Sequence, residues 1–435
     1  MGEVTRRTAL QGGLGAGAAI ALPSTLRGTL GFGAASTNSG DRAVVGRWVG
    51  AVTRTRVTVA LRTVNAAAAR LHVFSDPDLR DHVADSEREP TGGDGFVKLV
   101  VDGLSSGTQY YYSVGLEGVR SGRIGSFRTG PAGAADFTFG FASCCAQPDS
   151  TTFSAIRSHD PDFFLHIGDL HYGDIARNDV DAFRAEYATA LAATHQGPFY
   201  ANVPTLYTWS DHDFGGNNSN GTSGSRPAAR AAYHQCVPSH QLPSPTGGIY
   251  QTFRYGRVRF ISTDNRSFKS PRTAVDDGEK TVLGAEQKRW FKHTIRDATE
   301  PVIIWINEIP WISPEVEHSD RWGGYKTERD ELARFIAGSG KNVAIVSGDL
   351  HALAADDGTH SAGGIPIFQA APLDQRSSIR AGRYTHGPFP PSEGIQVQQY
   401  GLMRVRDKGS EIKLHFTGYR VGEGALLTYT HTFAV

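Results

Sequence analysis

Five apolar runs in the middle of the chain each stop at side chains able to hold a metal ion. Residues 137–142 lead into Ser143-Cys144-Cys145, and residues 163–167 lead into Gly168-Asp169, with Tyr172 three positions on. Residues 205–209 lead into Asp211-His212, residues 302–306 into Asn307-Glu308, and residues 343–346 into Gly348-Asp349-Leu350-His351. One Asp or His after a strand is ordinarily a cap or a surface residue. Repetition at five strand ends points to a shared crevice, because ligands at the carboxyl edge of one sheet converge there. Such donors suit a metal pair bridged by one carboxylate, the ions about 3.5–4 Å apart, which makes a nucleophilic oxygen available and absorbs negative charge that develops on a substrate. Asp169 is the natural bridge, since Gly168 lets the backbone come close.

These ligands need a scaffold that repeats strand, turn and helix, and the pattern takes that form from residue 136 onward. Before it, residues 44–52, 56–63, 70–74, 96–101, 109–116 and 122–128 read as short strands. Val57, Val59 and Leu61 alternate with Thr58, Ala60 and Arg62, the period of a half-buried strand. Leu104-Ser105-Ser106-Gly107-Thr108-Gln109-Tyr110 resembles the strand corner of fibronectin type III sandwiches, with Ser106 in place of the proline. A β-sandwich over residues 41–130 is expected, the three adjacent tyrosines serving its packing. Thr129-Gly130-Pro131-Ala132-Gly133-Ala134-Ala135 has linker composition, and the metal-bearing domain takes 136–435.

Phe141-Ala142-Ser143-Cys144, Gly168-Asp169-Leu170-His171-Tyr172, Trp209-Ser210-Asp211-His212-Asp213 and Gly348-Asp349-Leu350-His351 resemble successive motifs of the PhoD alkaline phosphatase and phosphodiesterase family, relatives of purple acid phosphatases. Leu283-Gly284-Ala285-Glu286-Gln287-Lys288-Arg289-Trp290 and the Trp322 to Arg329 stretch fit that family and lie between its motifs. Any one motif is weak, whereas the ordered set, spanning about residues 45–435, is specific. The resemblance implies a metallophosphatase of the calcineurin-like superfamily. Its fold would be a four-layer α/β/β/α sandwich behind a fibronectin-like domain, with residues 401–405, 411–417 and 427–433 as edge strands completing the second sheet. It also implies hydrolysis of phosphate esters by hydroxide held on the metals, including diesterase and phospholipase D-like activity.

The ligand set divides in two. Cys144 as thiolate, Tyr172 as phenolate, Asp169 and His351 suit ferric iron, and the resemblance implies Fe3+ there. Asp169, Asp211, Asp349 and either Glu308 or Asn307 form a site dominated by oxygen donors, which favours calcium, magnesium or manganese. The resemblance implies Ca2+. Related His-x-Pro patterns align Glu308, two before Pro310, with Asn307 as the alternative. By resemblance, His212 orients the phosphate and protonates the leaving oxygen, Asn217 reaches the second metal or substrate, and Arg266 of Asp264-Asn265-Arg266 either contacts phosphate or forms a buried ion pair. His171 either supports the ligands through a hydrogen bond, which the already supplied site favours, or is itself a ligand. Ser210 and Cys145 depart from residues common in the family. The stretch up to Arg226 reads as a polar loop beside the pocket.

Composition narrows the partners. Lys+Arg and Asp+Glu both number 44, so nothing in the net charge calls for a nucleic-acid or membrane-surface partner, and a small phosphoester substrate is the expectation. No membrane span follows residue 40. Three cysteines, Cys144, Cys145 and Cys236, cannot make a disulfide framework; any bridge would join Cys236 to one of the vicinal pair. Thr5-Arg6-Arg7-Thr8 followed by the apolar run Leu14 to Leu22 resembles a twin-arginine signal over residues 1–36, implying use of that export machinery and a secreted, periplasmic or cell-surface protein. His72, His82, His159, His195, His293 and His415 sit without partner ligands in sequence and read as surface or core residues. A second reading stays open: a non-catalytic metal-binding surface or adhesion protein whose β domain is the functional part.

Overall fold

The computed structural model describes residues 42–244, 246–378 and 382–435; the expected signal segment, 1–36, lies outside them. The described residues after Asp41 form one compact unit. Ala43–Gly50, Val57–Val64 and Phe96–Val101 make a three-stranded antiparallel sheet. Ala68–Phe74, His82–Asp85 and Gln109–Leu116 form the core of a second one. Val57, Val59, Leu61, Leu71, Val73, Leu99 and Val114 join one buried cluster between them. The Leu104 corner closes through Tyr110, whose hydroxyl accepts the Ser105 N–H at 3.0 Å.

The alternation in Val57–Val64 predicts one solvated face, but Thr58 and Ala60 are buried as well. Trp48, Ala60 and Phe96 belong to a cluster with Tyr187, Tyr200 and Tyr207. Trp48 stacks on Tyr200 at 4.6 Å, and its indole N–H donates to the Thr205 carbonyl at 3.2 Å. The first sheet is therefore covered on both faces, with the helix Val180–Ala192 on the second.

Two further sheets, of six and seven strands, follow. The first has the order Thr205–Thr208, Phe163–Ile167, Phe137–Ala142, Gln399–Asp407, Glu411–Arg420, Gly424–Ala434. The second runs Gln251–Tyr255, Val258–Ser262, Val302–Asn307, Asn342–Ser347, Ile367–Gln369, Leu353–Asp356, His386–Phe389. Phe139, Phe141, Leu165, Phe260, Ile304, Val346, Met403 and Phe416 fill the space between them. Ile303, Trp305 and Ile345 face the other way, onto Phe291, Leu332 and Ile336 of the helices Gly284–Arg296 and Lys326–Gly338. Strands buried on both faces are apolar throughout and do not alternate, which is why these runs stand out in the sequence. The last three strands depart from expectation. Gln399–Asp407 pairs with Phe137–Ala142 and the other two follow it in turn, so all three extend the first sheet, not the second, and Gln399–Asp407 is interior. The burial of Met403, Val405, Leu414 and Phe416 between the sheets accounts for the placement.

Candidate metal centre

The strand ends that carry the proposed ligands meet at one place. Cys144, Asp169, Asp349 and His351 all have positive φ, between 51° and 63°. This left-handed region is costly for residues with a Cβ, so each chain reverses sharply as it leaves its strand. Two glycines permit the approach. A Cβ on Gly168 would lie 2.5 Å from Ser210 Cβ, and one on Gly348 would lie 2.6 Å from both the Ile167 carbonyl and Ser143 Oγ. Backbone bonds lock the turns together: Cys144 N to Gly168 O at 3.1 Å, Cys145 N to Asp169 O at 2.8 Å, Gly348 N to Glu308 O at 3.1 Å.

Asp169 is the centre of the array. Its Oδ2 accepts from Tyr172 OH at 3.2 Å and lies 3.4 Å from Cys144 Sγ, while its Oδ1 is buried with no hydrogen-bond partner. Donor atoms of Cys144, Asp169 and His351 fall within 4.8 Å of one another, and so do those of Asp169, Asp211 and His212. Burial and the charges of Asp211, Asp213 and Asp349 push the Asp169 carboxyl far above the usual range. Burial and neighbouring carboxylates do the same to the Cys144 thiol and the Tyr172 phenol. A buried set of acids that repel one another, with an orphaned carboxylate oxygen at its centre, fits a cation. His351 is prepared in the same sense: its Nδ1 lies 2.6 Å from the Arg376 carbonyl, so Nδ1 carries the proton and Nε2 keeps its lone pair.

The second group is built differently. Asp211 Oδ2 accepts the Asn218 N–H at 2.6 Å and Oδ1 accepts from Ser210 Oγ at 3.1 Å. Burial opposes its charge, but Arg266 and His212 outweigh that and hold the carboxyl below its ordinary value. Glu308 Oε1 accepts from Arg266 Nε at 2.6 Å and Ser210 Oγ at 2.9 Å, and its Oε2 is buried without a partner. Burial raises the Glu308 carboxyl to about 7 despite Arg266 and Lys269. Asp349 Oδ2 accepts from Arg321 Nε at 3.1 Å. Asn307, the alternative to Glu308, has its Oδ1 engaged by Asn265 Nδ2 at 2.6 Å and Trp322 Nε1 at 3.1 Å.

Several expected roles change. Arg266 is fully buried, and each guanidinium nitrogen is engaged, by Glu308, by Asp320 with Ser219 O, and by Ser210 Oγ. It therefore offers no face to a substrate, and its acidic partners are Glu308 and Asp320, with Asp211 at 3.8 Å. Asp264 instead accepts the N–H groups of Arg266, Ser267 and Ile249. His171 turns into the core, 6.0 Å from Tyr187 and 6.3 Å from Phe183, and burial drops its imidazole to about 3; its side chain bonds to none of the ligands. Asn217 is exposed, and its neighbour Asn218 makes the contact to Asp211. Cys145 packs in the core beyond the strand, away from Cys144, and all three thiols are free. His360 bonds Asp356 and His386 lies on Tyr429.

Two carboxylates carry roles the motifs do not reveal. Asp174 Oδ1 lies 2.6 Å from His212 Nδ1, and the His212 ring lies 4.3 Å from that of Tyr172. Burial alone would lower the imidazole, but the Asp174 bond and the charges of Asp169 and Asp211 carry it up to about 10. Asp213 accepts the N–H groups of Asp169, Ser210 and His171, tying two of the metal-bearing turns together. The spacing Ser210-x-x-Asp213, a capping pair, was the available signal. Nothing in sequence separates Asp174 from an ordinary loop aspartate.

A family model described as PhoD-like phosphatase matches residues 139–371, over half the chain, and the chain belongs to that family. The match contains every donor named above. The chain is similar to alkaline phosphatase D of Bacillus subtilis (strain 168), with 26% identity over 312 residues, 59% of this chain and 53% of that protein. It thus spans about half the length of that relative. It also resembles a solved structure described as the structure of PhoD, with TM-score 0.72, 20% identity and 92% of each chain covered. At that identity the likeness is one of fold, a mixed α/β arrangement of several sheets.

Proposed function

We propose that the protein is an exported hydrolase of phosphate esters whose centre takes two metals across Asp169. The observation that carries this is the position of Asp169 in two donor groups of different chemistry. Cys144, Tyr172, His351 and Asp169 would hold the first ion, Fe3+ by donor type; Asp169, Asp211, Asp349 and the free oxygen of Glu308 would hold the second, Ca2+. When bound, such a pair supplies a nucleophilic oxygen and positive charge opposite the transferring phosphoryl group.

The chain's own residues do the remainder. Asp174 fixes His212 through Nδ1 and turns Nε2 toward the phosphoryl oxygens, where it steadies the ester and passes a proton to the leaving oxygen. Asp213 keeps the Asp169 and Asp211 turns in register. His351 is held by the Arg376 carbonyl. The larger assignments belong to the same proposal: a fibronectin-like domain over 41–130, a four-layer α/β/β/α phosphatase domain over 136–435, and twin-arginine export directed by residues 1–36.

Metal analysis combined with hydrolysis of p-nitrophenyl phosphate and bis-p-nitrophenyl phosphate tests the reading. Turnover of either ester by protein carrying iron and calcium is expected. Metal-loaded protein inert toward both esters would leave the metal-binding surface protein as the better account. Arg6→Lys with Arg7→Lys should strand the precursor in the cytoplasm; unchanged export would remove the export address.

A further inference from the structure

A second set of donors able to hold a metal ion lies on the amino-terminal β portion, on residues whose sequence spacing gives no reason to join them. Antiparallel pairing of Ala68–Phe74 with His82–Asp85 sets His72 opposite Asp85 and Phe74 opposite His82, with a bulge between Val73 and Phe74. His72 Nδ1 and His82 Nε2 each lie 2.7 Å from the same oxygen, Asp85 Oδ1. All three donor atoms fall within 4.8 Å of one another. The side chains are 21%, 49% and 33% exposed for His72, His82 and Asp85, so one side of the cluster is open to water.

The hairpin that presents them is braced. Asp76 accepts backbone N–H groups from Asp78, Arg80 and Asp81 at 2.9, 2.9 and 2.6 Å, and Ser75 N donates to Asp81 O at 3.0 Å. The His82 ring meets Phe74 edge-on at 5.5 Å. Beyond the hairpin, Ser86 Oγ accepts the Leu71 N–H at 3.0 Å. Both strands and the turn between them therefore hold the donors in place before any ligand arrives.

We propose that His72, His82 and Asp85 form a zinc site separate from the phosphoesterase centre. Two imidazole nitrogens and one carboxylate oxygen suit a borderline divalent ion, while calcium and magnesium prefer all-oxygen sets. Bonds of about 2.0–2.2 Å from a tetrahedral zinc place its donors roughly 3.3–3.6 Å apart, so the 2.7 Å contacts must open by about 0.6–0.9 Å, within reach of side-chain rotation on the exposed side. Water takes the fourth corner on the open side. The bound ion joins both strands of the hairpin and replaces two hydrogen bonds to a single oxygen.

The test uses the full chain with its strand-end metals retained, alongside the variants His82→Gln and Asp85→Asn. Zinc is titrated calorimetrically and counted by elemental analysis. The unmodified protein should hold one zinc equivalent more than either variant, and each variant should bind that equivalent at least about 100-fold more weakly, at or beyond the upper end for loss of a supporting residue. Cobalt should give a tetrahedral visible band in the difference spectrum of unmodified protein minus His82→Gln. Ester hydrolysis and circular dichroism should be unchanged in both variants, which establishes that they fold. Equal zinc content with superimposable cobalt spectra would overturn the proposal. So would loss of the extra equivalent on Asp169→Asn but not on His82→Gln, because the ion would then belong to the strand-end centre.

Discussion

The two donor groups that share Asp169 differ in what already balances their charge. Around Cys144, Tyr172 and His351 the acidic groups are pushed toward their neutral forms by burial and by each other. Around Asp211, Glu308 and Asp349 the carboxylates have guanidinium neighbours: Arg266 lies 3.8 Å from Asp211 and 2.6 Å from Glu308, and Arg321 lies 3.1 Å from Asp349. The first group therefore gains most from an added cation, because buried charge without a partner is costly. The second is already partly neutralised and should hold its ion less tightly.

Removing the shared carboxylate gives the largest effect. Asp169→Asn should empty both positions and depress hydrolysis beyond the 10²–10⁴-fold typical of losing a general acid. Elemental analysis would show both metals gone. Retention of either metal at full occupancy would break the idea that Asp169 serves both groups.

Chelation separates the groups. A calcium chelator should abolish activity reversibly, leave iron bound and move the melting temperature little, because Arg266 and Arg321 still balance the second group. Extracting iron should lower the melting temperature, since the ion stabilises only the folded state. Asp211→Asn should reproduce the chelated state. A larger fall in melting temperature on losing calcium than on losing iron would reverse the comparison.

His212→Ala should lower turnover about 10²- to 10⁴-fold, with iron content intact. Asp174→Asn acts through His212 and should cost less, about 10- to 100-fold by analogy with supporting residues of metal ligands. It should reduce turnover while leaving the Michaelis constant and both metals near their original values. Loss of calcium on His212→Ala would make His212 a ligand, a role its nearness to Asp169 and Asp211 allows.

The strand-end donors were legible because their signal is one-dimensional: an apolar run fixes a strand, and the next residue sits at its carboxyl edge. Cys144, Asp169, Tyr172 and His351 all came together on that basis. What was hidden depends on partners distant in sequence. Asp174 meets His212 across 38 positions and Arg266 meets Glu308 across 42, and neither spacing belongs to a helix or a hairpin. Arg266 was open between a phosphate contact and a buried ion pair until its burial against Glu308 and Asp320 was known. The final strands were assigned to the wrong sheet because an apolar antiparallel strand fits either sheet until its neighbour is seen. His72 and His82 were set aside for want of partners, and the short strand His82–Asp85, the element that joins them, was not anticipated.

The smallest effect distinguishes the two adjacent thiols and so tests the first group alone. Cys144 Sγ points at Asp169, whereas Cys145 Sγ donates to the Gln147 carbonyl at 3.2 Å and packs with Phe153 and Leu170. Under the ferric assignment, the Tyr172 phenolate gives the purified protein a visible charge-transfer band, and the Cys144 thiolate adds to it. Tyr172→Phe should bleach most of the band, and Cys144→Asp should shift it while retaining iron, because a carboxylate still serves a ferric ion. Cys145→Ser should leave the spectrum and the iron content unchanged, since that side chain faces the core and reaches no donor. Its cost should appear only in stability, as a hydroxyl replaces a buried thiol among apolar neighbours. Colour lost with Cys145 and kept without Cys144 would mean that the strand end turns the other way. A colourless protein with zinc in both positions would remove iron from the first group.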